Sequence, residues 1–205
     1  MQGYILHTQR VRDEDLIVTL LTQKSLKTLY RFYGARHATI QIGYKIDFEV
    51  QYSAKSSIGQ LRHILHLSEK WFFERHRFYI WQRLIRLFYR HLHDIENIDP
   101  FYFNLLESMK YRFEKQNPKR TAIEGYLSLL SHEGRLHHDF HCFLCDNRID
   151  GDPALARGFL PAHPTCLLGE PFSRASIDAL FQSRSTLYLS DSEVERLWEL
   201  LLQGL

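Results

Sequence analysis

Residues 45–52 read Lys45-Ile46-Asp47-Phe48-Glu49-Val50-Gln51-Tyr52. Ile46, Phe48, Val50 and Tyr52 alternate with Lys45, Asp47, Glu49 and Gln51. Successive side chains of a strand point to opposite faces, so this alternation reads as a β-strand with one apolar and one wet face.

Outward from that strand, the first 67 residues hold four more runs of strand character, at 3–8, 15–22, 27–33 and 59–65. Leu16-Ile17-Val18-Thr19-Leu20-Leu21 is apolar on both faces and is expected at the centre of a sheet. Turn residues fill the gaps at 12–14, 23–25, 34–43 and 53–57. Five short strands in so few residues leave two open edges unless the sheet closes on itself. A five-stranded Greek-key barrel, the OB-fold, fits the count and size, and an SH3-like barrel is the alternative.

From Ser68 the period changes. Phe78, Trp81, Ile85, Phe88 and Leu92 recur at spacings of three and four, which predicts a long helix to about residue 93. Its opposite face carries Arg75, Arg83, Arg86 and Arg90, a stripe whose plainest role is a solvated face. Asp99-Pro100 starts a second helix, to about 114, with Phe103, Leu106, Met109, Tyr111 and Phe113 as its apolar bulk. Asn117-Pro118 ends it, and a third helix is expected over about 121–131, with Ile123, Tyr126, Leu127 and Leu130 inward. Two short helices should close the chain, near 173–182 and 190–202, the latter with a capping box from Ser190 and Glu193. The expected class is α+β: an OB-fold barrel over 1–67, then an all-α helical domain over 68–205. A zinc-finger-like Cys/His knot is inserted late, over 137–172.

The net charge of +2 hides an asymmetry. Residues 1–136 hold 21 Lys and Arg against 14 Asp and Glu, a net of +7; residues 137–205 hold 5 against 10, a net of −5. A basic front can meet a polyanion, whereas the acidic remainder is poorly suited to one. Met1-Gln2-Gly3-Tyr4 leads straight into a strand pattern, and no apolar run reaches the length of a membrane span. The expectation is a cytoplasmic chain without membrane contact.

Three cysteines are too few for a disulfide scaffold. Cys142-Phe143-Leu144-Cys145 and His163-Pro164-Thr165-Cys166 are two pairs with ligand spacing, 17 residues apart. Each pair can grip one edge of a tetrahedral ion, and soft thiolates with an imidazole suit zinc. Four protein ligands leave no open position, so such a site is structural. His137, His138 and His141 offer other ligand choices, and Cys166 as a buried core thiol is the plainer alternative.

Residues 24–36 interleave Lys24, Lys27, Arg31 and Arg36 with Tyr30, Phe32 and Tyr33; Arg10 and Arg12 add charge just before. Cations neutralise phosphates and flat rings stack on bases, so these six cations are the candidate DNA contacts. Tyr30 and Phe32 share a face and are expected in the barrel core, while Arg31 and Tyr33 share the other. The chain has no GxxxxGK[ST], no GxGxxG after a strand, no HExxH and no GxSxG, so it is not expected to be an enzyme. A zinc hydrolase built on His137, His138 or His141 is disfavoured because a catalytic metal needs an open position and a base.

Tyr4-Ile5-Leu6-His7-Thr8, then Asp13-Glu14-Asp15-Leu16-Ile17-Val18-Thr19-Leu20-Leu21-Thr22, then Gly34-Ala35-Arg36, resemble the opening of the bacterial recombination mediator family RecO. The order of barrel, helices and late cysteine knot is similar as well. Three departures stand out, one of them Asp13, where that family more usually has Glu. Leu26 occupies the place where that family has Gly before the third strand, and the second ligand pair is His-x-x-Cys rather than Cys-x-x-Cys. The resemblance implies a DNA repair and recombination mediator that binds single- and double-stranded DNA and anneals complementary strands. With RecR, such a protein helps load RecA onto DNA covered by single-strand-binding protein. It also implies that the helical domain holds the acidic C-terminal tail of single-strand-binding protein, for which the face with Arg75, Arg83, Arg86 and Arg90 is chemically suitable. It places the chain in the cytoplasm, at the nucleoid. The competing expectation is a protein-interaction adaptor whose barrel has little DNA binding of its own.

Overall fold

The computed structural model describes every residue except Lys55 and Glu96, so Lys55 of the expected 53–57 turn lies outside the described residues. Five strands form a closed barrel: β1 (Gln2–Arg12), β2 (Asp15–Leu21), β3 (Leu26–Arg31), β4 (Lys45–Ser53) and β5 (Ser56–Leu67). The order around the barrel is β1-β2-β3-β5-β4, and β1 pairs with both β2 and β4. All pairings are antiparallel except β3 with β5, which meet in parallel at Tyr30 and Gln60. This is the OB-type closure, and it leaves no open edge to be managed.

Leu16, Val18 and Leu20 of β2 point into the barrel beside Ile5, Leu29, Ile46, Phe48 and Leu61. Burying each such side chain stabilises the fold by about 1.5–3 kcal/mol. The period-two reading of 45–52 holds at Ile46 and Phe48 and fades after them. Val50 is half-buried and Tyr52 is 69% exposed. The reason is pairing: β1 covers β4 only over Lys45–Asp47, Met1 extends the contact to Phe48, and beyond that β4 pairs with β5 alone. Lys45 also departs from the wet face. It is buried, and its Nζ lies 2.9 Å from Glu107 Oε1.

Two packing units emerge, Met1–Glu114 and Lys115–Leu205. The change of period at residue 68 marks the end of the strands, whereas the first unit also takes in α1 (Arg75–Leu92) and almost all of α2 (Pro100–Lys115). The expected helix from 68 starts late: Lys70–Phe73 is a 3-10 turn, and Glu74 is extended with φ −85° and ψ 97°. Trp81 anchors α1, donating from Nε1 to Gly43 O at 2.8 Å, while Gln82 Nε2 donates to Ile42 O at 3.0 Å. Tyr111, expected among the apolar bulk of α2, is 65% exposed instead.

In the second unit α3 (Pro118–His132) begins earlier than expected. Asn117 does not merely end the preceding helix; its side chain accepts the N–H groups of Lys119 and Arg120, with Pro118 preset at the first helical position. Ile123, Tyr126, Leu127 and Leu130 are buried as expected. A two-stranded ribbon of β6 (Ala154–Leu155) and β7 (Pro161–Ala162) leads to the short α4 (Pro164–Leu167). Then α5 (Arg174–Ser183) and α6 (Asp191–Leu201) close the chain, and the Ser190–Glu193 capping box is present.

Candidate metal centre and nucleic-acid interface

The ligand atoms of Cys142, Cys145, His163 and Cys166 all lie within 4.8 Å of one another. Cys145 Sγ is 3.5 Å from His163 Nδ1 and 3.9 Å from Cys166 Sγ. Thiolates around a tetrahedral zinc, with bonds of about 2.3 Å, stand about 3.8 Å apart, so these residues fit a four-coordinate ion. Local structure explains the convergence. The Asp146 N–H donates to Cys142 O at 2.8 Å, and Asp146, with φ 60°, turns the chain so that Asn147 O accepts the Cys142 N–H at 2.9 Å, closing a knuckle. His163 precedes α4, and the Cys166 N–H donates to His163 O at 3.0 Å, closing the second. His163 Nε2 lies 3.1 Å from Arg148 O, which leaves Nδ1 for a metal. Burial pushes the Cys142 thiol up, but the backbone N–H groups of His163, Leu144 and Cys145 outweigh it and bring the pKa from 9.0 to about 6. The cluster can therefore hold a metal ion in a closed site. His137, His138 and His141 are not members; His141 pairs with Asp139, and His138 packs edge-on to Phe181.

On the barrel the six candidate DNA contacts do not form one patch. Arg10 and Arg12 are exposed at the end of β1, where Arg12 pairs with Asp15, and Arg31 closes the same end of β3 opposite Leu16. Arg36 lies on the 3-10 turn Gly34–Arg36, forms an ion pair with Glu14 and stands 5.3 Å from the Tyr33 ring centre. Lys24 and Lys27 sit at the opposite end, around the β2–β3 turn, where they share a cavity wall with Met1 and Gln2.

The parity of β3 is the reverse of the expectation. Leu29 points into the barrel, so Arg31 is on the inward face, at the barrel mouth. Its Nη1 donates to Leu61 O at 3.1 Å. Tyr30 and Phe32 therefore face outward and are not core. Phe32 is 43% exposed, and the two rings meet edge to face at 4.9 Å. Asp15 orders this surface: one oxygen accepts the Tyr30 hydroxyl at 2.5 Å and the other the Tyr33 N–H at 2.7 Å. Those two bonds, the hydroxyl first, hold the Asp15 carboxyl below its usual range.

Sequence reasoning missed a group at the mouth. Arg31, Arg62, His37 and His63 surround a cavity of about 470 Å³. On α1, Arg75, Arg86 and Arg90 are exposed, and Arg83 lies 5.8 Å from the Tyr79 ring centre. Among the described residues no helix is long and apolar enough to cross a membrane.

Comparison with known families matches residues 1–72 to the family model described as RecO N terminal. The N-terminal domain is thus RecO-like, and an OB-type barrel of that kind is consistent with DNA-related interactions and a role in DNA repair. No curated protein matches the chain.

Proposed function

We propose that this protein is a DNA repair and homologous-recombination mediator that binds single- and double-stranded DNA and anneals complementary strands. With RecR it helps RecA load onto DNA coated by single-strand-binding protein. The observation that carries this reading is the closed barrel of RecO N-terminal type with arginines and exposed rings gathered at one mouth. Arginines at the mouth lower the repulsion between two phosphate backbones, and outward rings such as Phe32 give unpaired bases a flat surface. Base pairing then completes the annealing, and no bond is made or broken. The Cys142, Cys145, His163 and Cys166 site holds zinc, which fixes the fold of residues 137–172 and takes no part in a reaction. The cationic face of α1, with Arg75, Arg83, Arg86 and Arg90, receives the acidic tail of single-strand-binding protein. The protein works in the cytoplasm, where its DNA is.

Strand annealing measured with and without single-strand-binding protein tests the reading. Faster annealing of complementary strands, persisting on coated strands, is expected. Absence of both annealing and DNA binding, with retained binding to protein partners, would leave an adaptor instead.

A further inference from the structure

The cavity at the barrel mouth has the wrong chemistry for an empty space. Arg31 and Arg62 both line it, and neither guanidinium Nε has a hydrogen-bond partner although both atoms are buried. Burial and then the neighbouring charge of Arg62 pull the Arg31 pKa down, so the two cations stand close enough to oppose each other. Each has some support: Arg31 Nη1 donates to Leu61 O and Arg62 Nη2 to Gln60 Oε1 at 2.7 Å, but neither support is a charge. His37 lies against Arg31, 3.4 Å from Nη2. The remaining wall is Thr39, Gln51, His63 and Ile64, so no carboxylate among the described residues lines the cavity. Glu49, the cross-strand partner of Arg62, is exposed and stands 3.9 Å from His63 without lining the cavity.

The backbone is bent to make this grouping. The β4–β5 register shifts between Asp47 and Glu49, and His63 sits in that bulge with φ 48°. A bulge re-aims consecutive side chains that a regular strand would send to opposite faces. Here it lets Arg62 and His63 line one cavity. Like charge held together around two buried, unpaired guanidinium N–H groups points to an anionic ligand that satisfies both.

We infer that this cavity binds a phosphate monoester, the terminal phosphate of a nucleic-acid strand. Two permanently charged guanidiniums match a dianion, and a monoester is largely dianionic at neutral pH while an internal phosphodiester carries one charge. A cavity of about 470 Å³ has room for the attached sugar as well as the phosphoryl group. The inference rests on the DNA-binding reading for the source of the phosphate, while the pocket chemistry stands apart from it.

One set of titrations separates the two. Fluorescence anisotropy compares a single strand ending in phosphate, at the 5′ or the 3′ end, with the same strand ending in hydroxyl. Thermal-shift titration compares thymidine 5′-monophosphate, thymidine and inorganic phosphate. One phosphorylated end is expected to bind about tenfold tighter than hydroxyl. Arg62→Gln should bring that ratio near one, and Arg62→Lys, which keeps a charge but loses the planar fork, should reduce it in a variant that melts like the wild type. The monophosphate should stabilise the wild type and thymidine should not. Equal affinity for both strand ends overturns the inference while leaving DNA binding intact. Stabilisation by inorganic phosphate alone, without an end preference, overturns the strand end as source. If no strand binds but the monophosphate does, the DNA-binding reading fails and the pocket chemistry survives.

Discussion

Asp15 holds Tyr30 by its hydroxyl and Tyr33 by its backbone N–H, which fixes the ring surface at the barrel mouth before any strand arrives. Phe32 rests edge-on against Tyr30 and contributes no charge, so its role in binding can be separated from that of the cations. A stacked base is worth about 1–3 kcal/mol. Phe32→Ala should therefore weaken single-strand binding by about five-fold or more and leave the salt dependence unchanged, as anisotropy at several salt concentrations will show. In the cysteine cluster the pKa of Cys142 is lowered from 9.0 to about 6, so its thiolate form is favoured in the folded chain. The stabilisation that this ionisation provides is complete above pH 9, declines as pH falls, and is gone below about 6. Metal affinity should fall over the same interval. Elemental analysis should find about one zinc per chain at neutral pH and far less after equilibration with chelator below about pH 6. Cys142→Ser should lose the metal at every pH.

At the scale of elements, the loop before β4 is fixed by α1 through a close approach. Gly43 has φ 93°, and a Cβ there would stand 2.8 Å from Trp81 Cδ1. Its carbonyl oxygen accepts the Trp81 indole N–H. Gly43→Ala adds left-handed strain to a ring clash and should cost about 1–3 kcal/mol in thermal or urea denaturation. β4 and α2 are tied by charge as well. Glu107 meets Lys45 and the Tyr4 hydroxyl, and Lys110 meets Glu69 at 2.8 Å. Burial would raise the Glu107 pKa, but the Tyr4 hydroxyl, Lys45 and Lys110 together hold it below the ordinary 4.5. Its contribution is therefore present above pH 4.5 and is lost as pH falls through the lower folded value. Glu107→Gln leaves buried Lys45 without its carboxylate and should destabilise by about 3–5 kcal/mol at neutral pH. The deficit relative to wild type should narrow in acid.

At the scale of the whole molecule, the parts legible in the sequence were those whose cause is local. Alternation at Ile46 and Phe48, the two-faced run of β2 and the ligand spacing around Cys142 and His163 each state their geometry within a few residues. The β3 parity was lost because Tyr30 and Phe32 are the bulkier set, yet Leu29, by entering the barrel, sets which face is inner. The mouth cavity was invisible because a bulge aligns Arg62 with His63 and carries the inward face from Leu61 to Ile64, a step of three that strict strand alternation does not anticipate. The same long-range geometry divides the cations that sequence had grouped. Lys27 stands four residues up β3 from Arg31, about 13 Å along the strand, and the β2–β3 turn carries Lys24 farther still. Arg10 and Arg12 lie at the mouth end with the exposed rings, so a bound strand should pass there and not across the turn. Removing two phosphate contacts from single-strand binding lowers the log–log salt slope by about 1.4. Arg10→Gln with Arg12→Gln should produce that change, and Lys24→Gln with Lys27→Gln should leave the slope near wild type. Equal losses from both pairs would mean that the strand runs the length of the barrel. No loss from either would move the interface away from these residues altogether.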